Sequence, residues 1–276
     1  MTIALTALYV PGDRPERWSK AIAAGADTVI IDLEDAVASS HKEQARASLP
    51  EVASVTGVAL QVRVNGRGSA WHAADIEAVA GLPEEVGVRL PKVESADEIR
   101  TLAGRLGDRP IHALIESALG VERAFEIASA GIASIGLGEA DLRSQMGLAR
   151  GLAGEPGLQW ARSRVVNAAA AAGITPPMMS VYADIADLAG LAASCARGRA
   201  LGFVGRSAIH PGQLATIEFA FIPTPEEVER AREVLARIAT AASDGVGTVV
   251  LEDGSFLDVA MVESARRTLA LADRGR

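Results

Sequence analysis

The sequence has one cysteine, Cys195, among its 276 residues. A single cysteine cannot form an internal disulfide, so the chain suits a reducing compartment. Cys195 falls within a predicted helix, where we interpret it as a packing residue. The first residues, MTIALTALYVPGDRPER, lack the basic n-region of a signal peptide and reach Pro-Gly-Asp early. These features predict a cytoplasmic protein.

Aromatic residues are also scarce, at 4%, although 49% of the residues are hydrophobic. The core must therefore consist of Ala, Val, Leu and Ile, a composition typical of buried parallel strands covered by Ala-rich helices. No apolar run is long enough to span a bilayer, so we expect no membrane segment.

Positive charge is in deficit, because 27 Lys and Arg face 35 Asp and Glu, for a net charge of −8. An acidic chain argues against nucleic-acid binding, which needs a basic face. It still permits a local basic pocket for a phosphorylated cofactor.

Short β-branched runs alternate with Ala-rich amphipathic segments over residues 1–222, the pattern of β/α units around a parallel sheet. The predicted strands are Ala4–Val10, Thr28–Asp32, Ala59–Val64, Val86–Pro91, Ile111–Glu116, Ser134–Gly138, Pro177–Val181 and Gly202–Gly205. The predicted helices are Pro15–Ala24, His41–Leu49, Asp75–Ala80, Ala96–Leu106, Val121–Ala130, Gly157–Ala172, Ile185–Ala200 and Pro211–Phe219. Eight alternations without a long linker favour an α/β fold of the (β/α)8 TIM-barrel type, with an open doubly wound sheet as the alternative.

Residues 223–276 form a predicted C-terminal extension. Thr224-Pro225 resembles a helix start, Asp253-Gly254 predicts a hairpin turn, and a last helix begins near Ala260. A hairpin and helices outside a closed barrel would be under-packed alone. We expect the extension to belong to the same domain or to pack on a neighbouring subunit as an arm.

Polar residues follow the ends of successive predicted strands. Because the carboxyl ends of parallel strands meet at one rim, where barrel active sites form, we expect a catalytic rim there. Its candidate residues are Asp32, Glu34, Asp35, Arg63, Asn65, Lys92, Glu116, Ser117, Glu139, Asp141, Arg206 and His210.

Two of these carboxylates, Glu116 and Asp141, follow adjacent strands. Converging carboxylates make an oxygen-rich site that suits Mg²⁺, and no His pair stands at the spacing of a zinc site. The alternative is that both carboxylates form ion pairs with Arg63 and Lys92. The planar guanidinium of Arg63 would suit the carboxylate of an α-keto acid.

Basic residues also follow the first two strands. They could hold cofactor phosphates, or they could be solvated helix faces. These residues are Arg14, Arg17, Lys20, Lys42 and Arg46.

Nine segments of the chain resemble the citrate lyase β-subunit family, within a group of metal-dependent aldolases that includes malyl-CoA and citramalyl-CoA lyases. They run in the same order over nearly the whole chain, and the DLEDAV block is the most specific. The segments are Tyr9–Arg17, Gly25–Asp27, Asp32–Val37, Arg63–Asn65, Leu90–Lys92, Ile115–Ser117, Gly138–Leu142, Ile209–Gln213 and Asp253–Asp258.

The resemblance implies roles for the rim. Glu116 and Asp141 would bind Mg²⁺, and Arg63 would bind the oxygens of a keto acid. It implies that the substrate is a coenzyme A thioester. The residues that would shape the site around them are Glu34, Asp35 and Lys92.

The resemblance also implies that Asp258 enters the site of a neighbouring subunit and assists proton transfer, in a homotrimer or hexamer. The chain departs from many relatives at Gln145, where they carry an acidic residue. It also departs after the Asp258-Val259 pair, which is followed here by Ala260 and in relatives commonly by proline.

The activity implied is Mg²⁺-dependent cleavage or formation of a carbon–carbon bond in a 3-hydroxy-3-carboxyacyl-CoA such as citryl-, malyl- or citramalyl-CoA. The products of cleavage would be an acyl-CoA and an α-keto acid. The alternatives are a malyl-CoA-type thioesterase, an aldolase of free hydroxy-keto acids, a β subunit that needs an acyl-carrier subunit, and a non-catalytic CoA-binding module.

Overall fold

The structure is a computed structural model that describes residues 3–243, 249–250, 256–257 and 260–273. The chain divides into two compact units, of which the first is Ala4–Ala220 and the second begins at Phe221. The first unit carries every candidate rim residue.

Seven parallel strands form the sheet of the first unit. They are β1 Thr6–Pro11, β2 Thr28–Asp32, β3 Ala59–Arg63, β4 Gly87–Leu90, β5 Ile111–Ile115, β6 Ser134–Leu137 and β7 Arg206–Ala208. Their order is β6-β5-β4-β3-β2-β1-β7, so β1 to β6 lie side by side in chain order. The apolar residues of β2 are buried on both faces, as expected for a parallel sheet covered by helices. The predicted α/β fold with a curled parallel sheet is confirmed.

The segment that enters between the two edge strands has irregular structure. Parallel bridges join Ser134 of β6 to Thr175, and Met179 to Arg206 of β7. The Met179 N–H donates to the Gly205 carbonyl, and the Ser207 N–H donates to the Met179 carbonyl. A TIM-barrel architecture fits these contacts.

Two predicted strands need correction. Pro177–Val181 forms only isolated bridges, because Pro176 and Pro177 have no N–H to donate to a ladder. The strand predicted at Gly202–Gly205 lies instead at Arg206–Ala208, because Gly202 has a φ of +100° and forms a turn.

Helices follow most of the strands. They are α1 Trp18–Ala23, α2 Lys42–Ala47, α3 His72–Ala80, α4 Ala96–Leu106, α5 Ala118–Glu122, α6 Ala124–Ala128, α7 Glu139–Gln145, α8 Glu155–Ala172, α9 Leu188–Ala200 and α10 Leu214–Phe221. The start of α4 shows why: the Ser95 side chain accepts the Glu98 N–H, and Ile99, Leu102 and Leu106 then recur on one buried face.

The helix predicted at Val121–Ala130 is two short helices, α5 and α6, of which α5 begins at Ala118. The Ser117 side chain caps α5 by accepting the Gly120 N–H. The short helix α7 had not been predicted, and it places Asp141 on a helix rather than in a turn.

The second unit contains α11 Pro225–Ser243, an antiparallel pair of short strands, β8 Val249–Val250 and β9 Phe256–Leu257, and α12 Ala260–Ala272. Thr224 and Glu227 cap α11 reciprocally: each backbone N–H donates to the other side chain. Ala231 and Val234 of α11 pack with Ala265 of α12. The expected turn at Asp253-Gly254 lies outside the described residues, and the expected subunit contact stays a prediction.

Among the helices of the described ranges, none has both the length and the hydropathy that crossing a bilayer requires. Cys195 is a buried free cysteine in α9.

Candidate active site

A buried ion pair between β2 and β3 forms one side of the rim. Asp32 and Arg63 are the last residues of these strands and are direct partners in the parallel ladder. Arg63 donates from Nε to Asp32 Oδ1 at 2.7 Å and from Nη2 to Asp32 Oδ2 at 2.6 Å. The Asp32 carboxylate also accepts the backbone N–H groups of Glu34 and Ala36. One face of the Arg63 guanidinium is therefore fully used by Asp32.

The remaining end of Arg63 points at two more acids. Its Nη1 lies 3.2 Å from both Asp35 Oδ2 and Glu34 Oε2. The contact with Glu34 is an ion pair that lacks hydrogen-bond geometry. Glu34 Oε2 is buried and accepts no hydrogen bond. Burial raises the pKa of Glu34. The loop after β2 thus brings more negative charge to the rim than Arg63 can neutralise.

Lys92 supplies the second cation of the rim. It follows β4, and its Nζ lies 2.7 Å from Glu34 Oε1, 3.3 Å from Asp141 Oδ2 and 4.0 Å from Glu116 Oε2. Burial, the largest single effect, lowers the pKa of Lys92, but the hydrogen bond to Glu34 and the charges of the surrounding carboxylates together outweigh it and raise that pKa. The Lys92 ammonium therefore contacts carboxylates that follow three different strands.

Glu116 follows β5 and is almost fully buried. Its Oε2 accepts the backbone N–H of Lys92 at 3.0 Å. Gly138 leaves room for it, because a Cβ there would overlap the Glu116 carboxylate. Burial, and next the nearby Glu34, raise the pKa of Glu116 to about 8. The site therefore holds a carboxylate that lacks a full positive counter-charge.

Asp141 is in the first turn of α7, where the helix dipole favours a negative charge. Its side chain is about half exposed, so one edge faces solvent while Oδ2 contacts Lys92. The sequence prediction that Glu116 and Asp141 converge agrees with their shared approach to Lys92.

The charges of this rim do not balance. Two cations, Arg63 and Lys92, face a larger set of carboxylates on the same strand ends. That set is Asp32, Glu34, Asp35, Glu116 and Asp141.

Such an excess of carboxylate oxygen is the donor chemistry that Mg²⁺ prefers. The raised pKa of Glu116 and the unsatisfied Glu34 Oε2 both mark where positive charge is lacking. Within the described ranges no three His, Cys, Asp or Glu side chains form a ready-made metal cluster. Two carboxylates with water completing the shell remain a normal arrangement for this ion. The residues present therefore fit Mg²⁺.

The predicted phosphate-binding cations divide into two groups. Arg14, Arg17 and Lys20 are exposed. Lys42 is buried and donates from Nζ to the Leu33 and Glu34 carbonyls, which fixes the rim loop from below. Arg46, the other predicted cation on α2, does not face the rim loop. It forms an ion pair with the buried Asp75 at 2.9 Å.

Some polar residues expected at the rim lie elsewhere. Arg206 donates to Ser194 of α9 and so faces the helix layer. His210 is exposed and accepts the Gly212 N–H through Nδ1. Asn65 supports the loop, because its side chain donates to the Leu33 carbonyl and to Asp75.

Sequence reasoning placed Asp32 at the rim without a specific role and did not single out Tyr9. The Tyr9 ring lies beneath the Arg63 guanidinium, 5.0 Å from its centre, and Asp32 clamps that guanidinium. Their positions at the carboxyl half of β1 and at the last residue of β2 were the available signal.

Fold and rim together define an α/β enzyme class with an acidic site at the carboxyl ends of parallel strands. Residues 5–211 match the family model of the HpcH/HpaI aldolase/citrate lyase family, and the chain belongs to that family. The predicted resemblance to citrate lyase β subunits is thereby confirmed.

Relatives with known names are similar over nearly the full chain. A (3S)-malyl-CoA thioesterase of Cereibacter sphaeroides is 35% identical, covering 96% of this chain and 93% of the relative. The citrate lyase subunit beta of Leuconostoc mesenteroides is 34% identical, covering 97% and 93%. The structure of CitE from Mycobacterium tuberculosis in complex with magnesium, acetoacetate and coenzyme A superposes with a TM-score of 0.83 at 34% identity, covering 98% of both chains.

Proposed function

We propose that this protein is a Mg²⁺-dependent carbon–carbon lyase that cleaves or forms a 3-hydroxy-3-carboxyacyl-CoA, such as malyl-, citramalyl- or citryl-CoA. The observation that carries the proposal is the approach of Glu116 and Asp141 to one ammonium, within a rim where carboxylates outnumber cations. The magnesium and coenzyme A of the similar CitE structure support it.

Glu116 and Asp141 would hold the metal, and Glu34 and Asp35 would complete the negative wall of the site. When bound, Mg²⁺ supplies a Lewis acid that stabilises negative charge on the substrate oxygens. Lys92 holds the three carboxylates around it in place, and Glu116 is fixed further by the Lys92 N–H.

Arg63 supplies a fixed positive charge. Asp32 anchors its Nε and Nη2, so the guanidinium does not need to reorganise as charge develops on the substrate. Cleavage breaks the bond between the carbinol carbon and the carbon next to the thioester. The electron pair stays on the acyl fragment as an enolate, the hydroxyl proton leaves, and a proton then adds to the enolate carbon. The family resemblance implies that Asp258, which lies outside the described residues, assists this proton transfer in the site of a neighbouring subunit.

Coenzyme A phosphates would bind to the exposed cations Arg14, Arg17 and Lys20. Lys42 and Arg46, also predicted to bind phosphates, support this function indirectly. Lys42 holds the loop after β2, and Arg46 anchors α2 through Asp75.

We further propose a closed eight-stranded barrel, a homotrimer or hexamer with the C-terminal extension as an intersubunit arm, and a cytoplasmic location. The alternative in which the chain works with an acyl-carrier subunit is supported by its similarity to a citrate lyase β subunit.

Thioester hydrolysis is the second candidate, because a similar relative is a (3S)-malyl-CoA thioesterase. The same acidic rim could direct water to the thioester carbonyl instead of releasing an enolate.

The test is mass-spectrometric product analysis with purified protein, Mg²⁺ and a panel of malyl-, citramalyl- and citryl-CoA. The lyase proposal expects an acyl-CoA and an α-keto acid. Free CoA with an intact hydroxy acid would establish the thioesterase instead. Glu116→Ala and Asp141→Ala should each abolish turnover while the protein stays folded, and turnover that persists with a metal chelator would contradict both candidates.

A further inference from the structure

The short helix α7 carries Asp141, and two of its other charged residues point away from the rim. Glu139 and Arg143 are four residues apart, so they lie on one face of the helix. Asp141 stands two residues from each of them, a rotation of about 200° at 3.6 residues per turn. Asp141 therefore projects from the side of α7 nearly opposite to Glu139 and Arg143, toward Lys92.

Four alternating charges, which we call the α7–α8 network, join the Glu139 face of α7 to α8. Arg162 donates from Nε to Glu139 Oε1 at 2.7 Å and from Nη2 to Glu139 Oε2 at 2.6 Å. Its Nη1 donates to Glu155 Oε2 at 2.7 Å, and the other oxygen of Glu155 accepts from Arg143. Glu155 and Arg162 are seven residues apart and share one face of α8. The network thus fixes α7 at two points that are one turn apart.

Arg162 is the central member of the network and is buried, with 7% of its side chain exposed. It binds both oxygens of Glu139, and such a bidentate pair allows one relative orientation. Burial, the largest single effect, raises the pKa of Glu155, but the hydrogen bond from Arg162 and the charges of Arg162 and Arg143 together outweigh it and lower that pKa. Glu155 is therefore ionised, and Arg162 lies between two carboxylates.

The other contacts of α7 are few. Within this helix, which the structure describes in full, Leu142 alone is buried. At the end of the helix, the Gln145 side chain accepts the backbone N–H of Ala118. At its start, where Asp141 lies half exposed, Glu139 ties the helix to α8. The rotation of α7 about its own axis therefore depends on the pair between Glu139 and α8.

We propose that Arg162 is a positioning residue for the metal site, which sets the rotation of α7 through Glu139 and so directs the Asp141 carboxylate toward Glu116. The inference rests on the proposed function, in which Glu116 and Asp141 hold Mg²⁺. Arg162 acts through Glu139 and is not itself a ligand. A buried ion pair often adds less stability than apolar packing would, so the fixed geometry is what the pair contributes here.

The test measures Mn²⁺ binding to the full-length protein by electron paramagnetic resonance, without substrate, together with unfolding in urea. Mn²⁺ takes the same oxygen ligands as Mg²⁺. Arg162→Met keeps a long side chain at this position but removes both bonds to Glu139. We expect it to weaken Mn²⁺ binding by roughly ten- to a hundredfold, the usual effect of losing a group that orients a metal ligand.

A gentler variant guards against misfolding of Arg162→Met. Glu139→Gln keeps the shape of the side chain and leaves Arg162 paired with Glu155. It should weaken Mn²⁺ binding in the same direction, by a smaller factor. The two changes combined should weaken binding no more than Arg162→Met alone, because both break the same pair.

The matched control is Arg109→Met. Arg109 is buried and also makes three hydrogen bonds, to the carbonyls of Leu82, Pro83 and Val86 at the amino end of the sheet. Its loss should lower stability in urea, as the loss of Arg162 does, and leave the Mn²⁺ affinity unchanged. A merely structural role for Arg162 would make the two variants alike.

A normal Mn²⁺ affinity in both Arg162→Met and Glu139→Gln would overturn the positioning role, as would an equal loss of affinity in Arg109→Met. Failure of the proposed function shows differently, because Mn²⁺ binding would then be unchanged in Asp141→Asn. Loss of binding in Asp141→Asn with normal affinity in Arg162→Met refutes the positioning role alone.

Discussion

The backbone N–H of Lys92 donates a 3.0 Å hydrogen bond to Glu116 Oε2 from a residue whose φ is +55°. Among non-glycine residues of the described ranges, Lys92 alone has a positive φ. A left-handed conformation costs an ordinary residue roughly 1–2 kcal/mol. In this strained conformation, Lys92 directs both its backbone N–H and its ammonium toward the carboxylates of the rim.

Two substitutions at Lys92 separate strain from charge. Lys92→Gly and Lys92→Ala both remove the ammonium and should both lose activity. Glycine tolerates a positive φ, so Lys92→Gly should be more stable than Lys92→Ala by about 1 kcal/mol. Urea unfolding measures the difference, and equal stabilities would show that the turn is unstrained.

The raised pKa of Glu116 predicts a pH-dependent stability in metal-free protein. Because burial and Glu34 raise this pKa to about 8, the folded state holds the proton more tightly than the unfolded state does. The Glu116 contribution to stability should therefore fall as pH rises from about 5 to about 8, and level off above that. The buried His112, whose pKa burial lowers to about 3, contributes in the opposite direction below about pH 6.5. The Glu116 contribution is therefore read from the difference between wild-type protein and a variant that lacks this carboxyl. Urea unfolding in chelator at several pH values measures the slope.

The matched control for this slope is Glu116→Gln, which keeps the shape of the side chain but does not titrate. It should remove the Glu116 contribution, while other buried groups such as Glu34 and His112 titrate in both proteins and cancel in the comparison. A slope unchanged in Glu116→Gln would assign the effect to other groups.

The hydrogen bonds from Arg63 to Asp32 predict that Asp32→Asn lowers the free energy of unfolding substantially. Asp32→Asn leaves Arg63 buried without its principal counter-charge, which typically costs about 3–5 kcal/mol. Asp97→Asn makes the same substitution in an exposed pair with Arg100 and should change stability by no more than about 0.5 kcal/mol. The two unfolding free energies test this directly, and similar values would refute a structural role for Asp32.

Gly138 provides a steric test of the Glu116 position. Its φ of −94° suits any residue, so Gly138→Ala adds no backbone strain, but the new Cβ would displace the Glu116 carboxylate. We expect weaker Mg²⁺ binding and at least a tenfold lower turnover, since each 1.4 kcal/mol is tenfold. Gly104→Ala, which meets open space in α4, should keep full activity and add about 0.5–1 kcal/mol of stability. Normal metal binding by Gly138→Ala would show that Glu116 can move aside without loss.

The sequence predicts the parts of the fold that depend on local pattern. The strand at Thr28–Asp32 and the helix at Ala96–Leu106 have the predicted bounds, because a buried apolar run and a capped amphipathic stretch define them locally. The strand predicted at Pro177–Val181 forms only isolated bridges, because the prolines at its entry have no N–H to donate to a ladder.

The contacts of the site depend on sheet register, which local pattern does not encode. Asp32 meets Arg63 because the two residues are ladder partners, and Arg89 reaches Gln61 because β3 and β4 are neighbours with one shared face. The strand ends alone predicted that Glu116, Asp141 and Arg63 belong to one rim. They could not show that Arg63 is already paired with Asp32.

The most direct test of the account is anomalous diffraction from crystals of the protein soaked in Mn²⁺, which binds the same oxygen ligands as Mg²⁺. We predict one strong peak bonded to a carboxylate oxygen of Glu116 and one of Asp141, at about 2.0–2.2 Å, and its loss in Glu116→Gln crystals. A wild-type peak elsewhere, or a rim in which Lys92 keeps both carboxylates and no metal binds, would contradict the assignment.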